Sequence, residues 1–295
     1  HNEYGWQAMS ENKKQPRVKG LKQLFGHDVI VYSLDAESSK ARGITDAREL
    51  CIGLDQIEIE DLELLKSELA LSEPTLENAY IVRERLGHDW ISLLLEMSSE
   101  EIEEFTEMYK GHPGSIKTLQ RRLNTIVQKT SYLKTRAQQN YIDEILRHIQ
   151  SGKHIVLEFG RQNNLLSYML ATNIITRRLH SQYVRLSEAH LANPEGTRAP
   201  RKLMIVIEEA HKFLSPQLAK STIFGIIARE MRKYFVTLLI IDQRPSGIDP
   251  EILSQLGTRV TALLNDDRDI DAVFTGVSGS QSLPTVLSQM APKQQ

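Results

Sequence analysis

The chain has a single cysteine, Cys51, among 295 residues. One thiol cannot build an internal disulfide framework, and such scarcity fits a reducing compartment such as the cytoplasm. No Cys/His cluster has zinc-ligand spacing. No apolar run approaches the ~20 residues that span a bilayer, which argues against a membrane partner. No signal-peptide pattern is visible. A dominant charge is missing too: Lys+Arg 36 against Asp+Glu 38 leave a net charge of −2. That balance excludes nucleic-acid binding over the whole surface, but not binding through a local patch or a pore lined by a few cations. Finally, the chain lacks a phosphate-binding loop. In Gly111-His112-Pro113-Gly114-Ser115-Ile116-Lys117-Thr118, two residues separate Gly114 from Lys117, and an acidic helical stretch rather than a strand precedes it. Such a loop needs Gly directly before Lys, so that backbone N–H groups wrap the phosphates while the ammonium reaches them. Ser151-Gly152-Lys153-His154 fails because it comes before a strand, not after one.

What is present is ordinary for a soluble globular chain, with 40% hydrophobic and 25% charged residues, enough for one large domain or two smaller ones. The most informative stretch is Leu203-Met204-Ile205-Val206-Ile207-Glu208-Glu209-Ala210-His211-Lys212-Phe213. Its apolar run reads as a strand buried on both faces, with two carboxylates where the strand ends. Ligands of open α/β sheets sit just beyond the carboxyl ends of the strands. Two acids there can divide the work. Glu208 can hold Mg²⁺, directly or through water, and Glu209 can polarise a water for attack on a phosphate. Acids in the first turn of a helix also complement its dipole, which is the purely structural alternative.

The following segments carry a matching pattern. Ser221 to Tyr234 has helical spacing, with Arg229 and Arg232 three apart and so on one face. Val236 to Ile241 is a second strong strand, followed by Asp242-Gln243-Arg244-Pro245-Ser246. A Gln at a strand tip suits a group that senses a γ-phosphate. Pro250 to Leu256 reads as a short helix with Asp249 as N-cap. Arg259 to Leu264 reads as a third strand.

The motifs Glu208-Glu209-Ala210-His211-Lys212-Phe213, Ile227-Ala228-Arg229-Glu230-Met231-Arg232-Lys233-Tyr234 and Gln243-Arg244-Pro245-Ser246, with Ile248-Asp249 and Leu253-Ser254-Gln255, stand in one order. Together they resemble the HerA family, the hexameric DNA-translocating ATPases of the HerA/FtsK group. The resemblance implies an α/β fold, a RecA-like core of mostly parallel sheet flanked by helices, with an inserted helical subdomain. It implies ATP and Mg²⁺ as cofactors, double-stranded DNA as substrate, a homo-hexameric ring, and a nuclease or other effector as partner. Glu209 becomes the catalytic base or water-positioning group, Glu208 the metal-side acid of the Walker B segment, and Gln243 the sensor. Arg232, or failing that Arg229, becomes the finger that enters a neighbour's site. The family more often has Asp where Glu208 stands, and often glycines where Met231 and Phe235 stand. His211 reads as a packing or hydrogen-bonding residue. Two other readings remain open: a non-hydrolysing RecA-like scaffold, and a related ATPase with a different cargo.

Three segments follow. Residues 1–44 are the N-terminal part of the ATPase core, by likeness of His1-Asn2-Glu3-Tyr4 to a family string that lies downstream of the phosphate-binding loop. The chain is therefore expected to begin inside that core and to be inactive alone. Within it, 8–17 reads as a loop and Asp28 to Leu34 as a core strand. Residues 45–150 read as helical, without strands: one helix around Ile57 to Leu69, then Leu76 to Leu86, Asp89 to Met97, Glu100 to Tyr109, Ile116 to Lys129 and Thr135 to Ile149. Their charge is uneven, acidic to Glu107 and then basic from Lys110 to Arg136, which suits either facing helices or solvated surfaces, with phosphate contact as the functional alternative. Residues 151–295 return to the core through a strand at His154 to Phe159 and a long helix from Leu165 to about Ser187.

Overall fold

The computed structural model describes residues 5–9, 17–136, 140–161, 165–220 and 222–277. The chain divides into two compact units, His1–Arg178 and Leu179–Gln295.

The first unit opens with β1 (Gln7–Met9) and β2 (Arg17–Lys19), an antiparallel pair with Ala8 opposite Val18. The expected loop is therefore a short ladder at both ends; its middle lies outside the described residues. After α1 (Leu21–Phe25) comes β3 (Val29–Ser33), then α2 (Ala36–Ala41), β4 (Arg48–Glu49) and β5 (Ile52–Gly53). A helical region follows: α3 (Ile59–Leu64), α4 (Glu73–Leu86), α5 (Trp90–Glu96), α6 (Ser99–Tyr109) and α7 (Pro113–Lys129). It leads through β6 (Leu133–Lys134) and α8 (Tyr141–Gln150) to β7 (His154–Glu158) and the 28-residue α9 (Leu165–Ala192). β3 is central in a parallel sheet, flanked by β4 and β7, with Val29 opposite His154 and Ser33 opposite Glu158. Val29, Val31, Ile44 and Val156 form its core, and Trp6 packs against them.

Local chemistry sets the helix ends. Ser72 caps α4, Ser98 and Glu101 form a reciprocal capping box on α6, and Asn140 caps α8. The Asn140 cap explains why α8 starts later than Thr135. Ser151 closes α8, and Gly152 takes φ +89, a left-handed turn that glycine adopts without a Cβ clash. The rejected Gly111–Thr118 loop is the connection into α7: Lys110 takes the left-handed C-cap of α6, and His112 caps α7. α7 turns Ile116, Leu119, Leu123 and Ile126 inward, each burial contributing about 1.5–3 kcal/mol before ordering costs. The charge runs partly face each other: Lys117 meets Glu103 at 2.6 Å and Arg136 meets Asp89 at 2.8 Å.

Three two-residue strands appear where none was expected. β5 pairs in parallel with β6, Ile52 opposite Leu133, so the helical region leaves and re-enters at one neck. A buried polar clamp fastens the same region to α9. Asp61, fully buried, accepts from Asn173 at 2.7 Å and from Arg177 at 2.8 Å, and Arg177 also donates to the Gln56 carbonyl at 3.2 Å. The Glu58 N–H donates to Asp61 as well, at 2.9 Å.

The second unit holds β8 (Leu203–Glu208), α10 (His211–Leu214), α11 (Ile223–Glu230), β9 (Val236–Ile241), α12 (Pro250–Gln255) and α13 (Asp267–Val273). β8 and β9 pair in parallel from Leu203–Val236 to Glu208–Ile241. Three expectations change here. β8 is not buried on both faces: Ile207 is buried, but Met204 is 58% and Val206 54% exposed, because only one face of the two-stranded sheet is packed. The Ser221–Tyr234 helix is α-helical only over α11 and tightens to a 3₁₀ turn at Met231–Tyr234, ahead of Phe235 at φ +59. Arg259 to Leu264 is irregular, because the Arg259 guanidinium binds the carbonyls of Leu253, Val273 and Thr275 and holds the segment to the helix ends. No described helix is long and apolar enough to cross a membrane.

Two predictions follow from the first unit. Asp61→Ala strands a half-buried guanidinium and should destabilise by about 3–5 kcal/mol, read as a lower urea midpoint. At the β3 tip, Arg161 donates to Asp35 at 2.7 and 3.1 Å and holds that carboxyl down, at about 2 instead of 3.8. A depressed folded value contributes stability above pH ~4 that is lost as pH falls towards 2. Arg161 is 72% exposed, so the contribution is limited to about 1 kcal/mol. Arg161→Ala should flatten acid unfolding in that window.

Candidate functional site

Parallel pairing in register makes β8 and β9 end level, since Glu208 is opposite Ile241. The next residues of both strands therefore emerge side by side: Glu209 from one, Asp242 and Gln243 from the other. Three of the sequence-derived site residues, Glu208, Glu209 and Gln243, are thus gathered at one edge of one sheet.

Glu209 has φ +52, the left-handed region that a residue with a Cβ avoids. This single residue breaks the strand sharply. Ala210 is already helical as the N-cap of α10, and the Glu209 carbonyl accepts from the Lys212 N–H at 3.0 Å. Strain of about 1–3 kcal/mol per such residue persists only where the surroundings impose it. Its carboxylate is partly exposed, 3.9 Å from His211 Nε2 and 3.7 Å from Lys212 Nζ.

Asp242 is the anchor of the opposite strand. Its side chain is 4% exposed. It accepts from the His211 N–H at 2.8 Å, the Arg244 N–H at 2.6 Å, and His211 Nδ1 at 2.9 and 3.1 Å. A carboxylate only accepts, so His211 Nδ1 carries the proton and Nε2 faces Glu209. Gln243 and Arg244 are exposed. Pro245–Gly247 turns the chain, with the Ser246 N–H held by Asp269 at 2.9 Å. Asp249 caps α12 as expected, accepting from Glu251 and Ile252 N–H groups.

Arg229 is exposed at the last turn of α11. Arg232 lies in the 3₁₀ turn, so the two arginines do not share one regular helix face; the Arg232 side chain lies outside the described atoms. Sequence reasoning passed over Asp242, although a carboxylate directly after an apolar strand run is the same signal that singled out Glu208. It took His211 as a hydrogen-bonding or packing residue, which its contacts with Asp242 match, but the bridge to Glu209 needed tertiary contacts.

A second polar cluster was missed, at the tips of β3 and β7. Glu158 is fully buried and accepts from Ser39 at 2.7 Å and Arg42 at 2.5 Å, with Ser33 a further 2.7 Å from the Ser39 hydroxyl. The signal was again a strand ending in a polar residue.

The chemistry of the β8–β9 edge fits one kind of metal. Among the described residues no group of three or more His, Cys, Asp and Glu could cage an ion. Mg²⁺ keeps several waters and takes one or two carboxylates plus phosphate oxygens, which one carboxylate at Glu208 can provide for.

Residues 1–179 match the family described as the central domain of the helicase HerA. Among curated proteins, the DNA double-strand break repair helicase HerA of Saccharolobus solfataricus is 42% identical over 128 residues, 43% of this chain and 24% of its own length. The protein of that name from Pyrococcus furiosus is 40% identical over 75 residues, 24% of this chain and 13% of its own. The one from Sulfolobus acidocaldarius is 30% identical over 150 residues, 50% of this chain and 29% of its own. The chain thus spans less than a third of these relatives' length. Its fold is α/β, with mostly parallel strands flanked by helices, compatible with a RecA-like ATPase. With 179 of 295 residues inside the family match, the chain belongs to the HerA central-domain family.

Proposed function

We propose that this chain is part of an ATP-driven translocase that works on double-stranded DNA as a ring-shaped homo-oligomer, a hexamer by family likeness. In this reading it acts with a nuclease or another effector in DNA processing. The observation that carries the proposal is the level pair of strand tips, with Glu208 and the left-handed Glu209 beside Gln243. The HerA relatives, whose names describe repair helicases, support the DNA substrate.

Each role has a physical basis. Phosphoryl transfer asks little covalent chemistry of the protein; catalysis is positioning plus charge stabilisation. Glu208, the last residue of β8, provides the oxygen for Mg²⁺, which when bound neutralises charge on the phosphates. Glu209, partly exposed and turned out of the strand, orients and polarises the attacking water. Gln243 is exposed at the neighbouring tip, with its amide available for a γ-phosphate or that water. Arg229 and Arg232, near the end of α11, supply the charge offered to a neighbour's site, with Arg232 preferred. The domain plan proposed is a core in two parts, 1–44 and 151–295, around a helical insertion, 45–150.

The decisive measurement is ATP hydrolysis by a natural form of the protein that carries this chain and a phosphate-binding loop, with and without duplex DNA. DNA should stimulate turnover, and Glu209→Gln should lower kcat at least about 100-fold with nucleotide binding retained. Turnover indifferent to DNA would point to another cargo, and none at all to a scaffold. Backbone strain at Glu209 yields a separate prediction. Glu209→Gly should be more stable than Glu209→Ala by about 1 kcal/mol, the reverse of the usual order, as read from thermal unfolding.

A further inference from the structure

We infer that Asp242 and His211 form a strut that fixes Glu209 in its working position and ties it to the turn that carries Gln243. His211 and Asp242 are positioning residues in this scheme, acting through Glu209. The inference rests on the proposed role of Glu209.

The strut begins with the Asp242 carboxylate, bonded through both oxygens by two backbone N–H groups and by the imidazole. The backbone bonds come from different strand tips: His211 follows β8, Arg244 follows β9. Asp242 therefore locks the two tips together as well as orienting the ring. The turn at Gly247 runs close beside His211: a Cβ there would stand 3.1 Å from His211 Cβ. Glycine at 247 is what lets that turn pass so close.

From this clamped ring, Nε2 points at Glu209 from 3.9 Å. That separation is too long for a hydrogen bond but is van der Waals contact, so the clamped ring limits where the carboxylate can swing. Glu209 is thereby confined without being occupied. Among the described residues no side-chain hydrogen bond occupies its carboxylate, which leaves lone pairs for a water. Lys212 Nζ also lies near Glu209, at 3.7 Å, but its side chain is 45% exposed, and a long, solvated ammonium positions weakly.

The opposite end of the strut grips the sensor. Gln243 lies between Asp242 and Arg244, and the Asp242 carboxylate holds the Arg244 N–H at 2.6 Å. A γ-phosphate drawing on the Gln243 amide would shift this short turn as a unit, and with it Asp242, the imidazole and Glu209. Sensing and water positioning then become one mechanical element instead of two independent contacts.

The test is a double-mutant cycle in the natural form of the protein that hydrolyses ATP. His211→Ala should lower kcat about 10-fold or more while KM for ATP moves less than about twofold, the signature of an interaction made only in the transition state. In a Glu209→Gln background the same change should have no further effect, because the two residues act as one. His211→Gln, whose amide nitrogen can reach the position of Nε2, should recover part of kcat. His211→Asn, which can still meet Asp242 but not Glu209, should keep thermal stability without that recovery. Losses that multiply in the double variant, or a His211→Ala kcat within twofold of the parent, would overturn the strut. An unsubstituted protein without ATPase activity, or one indifferent to Glu209→Gln, would instead overturn the reading of the site and the strut with it.

Discussion

Parallel strands in register end at the same edge of their sheet, and this constraint organises the chemistry of the molecule. Ser33 lies opposite Glu158, and Glu208 opposite Ile241. Both edges carry polar groups at or just past the strand ends: Ser33 and Glu158 in one sheet, Glu208, Glu209 and Asp242 in the other. At the β3–β7 edge Glu158 Oε2 takes up Ser39 and Arg42, while its Oε1 has no hydrogen-bond partner among the described residues. At the β8–β9 edge, satisfaction is uneven. Asp242 is saturated, while Glu209 and Gln243 are left facing outward. The edge thus sets a buried, fully bonded carboxylate beside a partly exposed one.

The rest of the first unit holds a large helical excursion in place. Its neck is a parallel bridge of two residues on each side, Ile52–Gly53 with Leu133–Lys134. So small a bridge cannot orient helices α3 to α7 alone. The Asp61, Asn173 and Arg177 network adds a second anchor point on α9, distant from the neck along the chain. Buried ionic clamps of this kind contribute little net stability compared with apolar packing, but they penalise every misaligned alternative through an unpaired charge. Trp90, fully buried, adds a large apolar side chain to the core of this region.

Much of this was legible in the chain. Caps identify themselves chemically, so Asp249 marks the start of α12 to the residue. Strands at Val29, His154, Leu203 and Val236 follow from dense β-branched runs. Failures have specific causes. The apolar run at Leu203 to Ile207 does not tell how many faces are covered, since that depends on what packs against the pair. Arg259 to Leu264 has strand-like residues, yet the guanidinium of Arg259 takes three carbonyls and leaves the segment irregular. The α11 periodicity continues past Glu230, but the backbone tightens there and turns at Phe235.

By itself the sequence determined the α/β class, the four main strands, and the carboxylates and amide at the strand ends, because these depend on side-chain type and short-range spacing. Tertiary structure alone decided that Glu209 occupies the left-handed region, that Asp242 is buried and saturated, and that His211 stands between them. Those properties arise from contacts across about thirty residues of chain, such as His211 with Asp242. A linear pattern records which groups are available; which of them meet is set only when β8 and β9 pair in register.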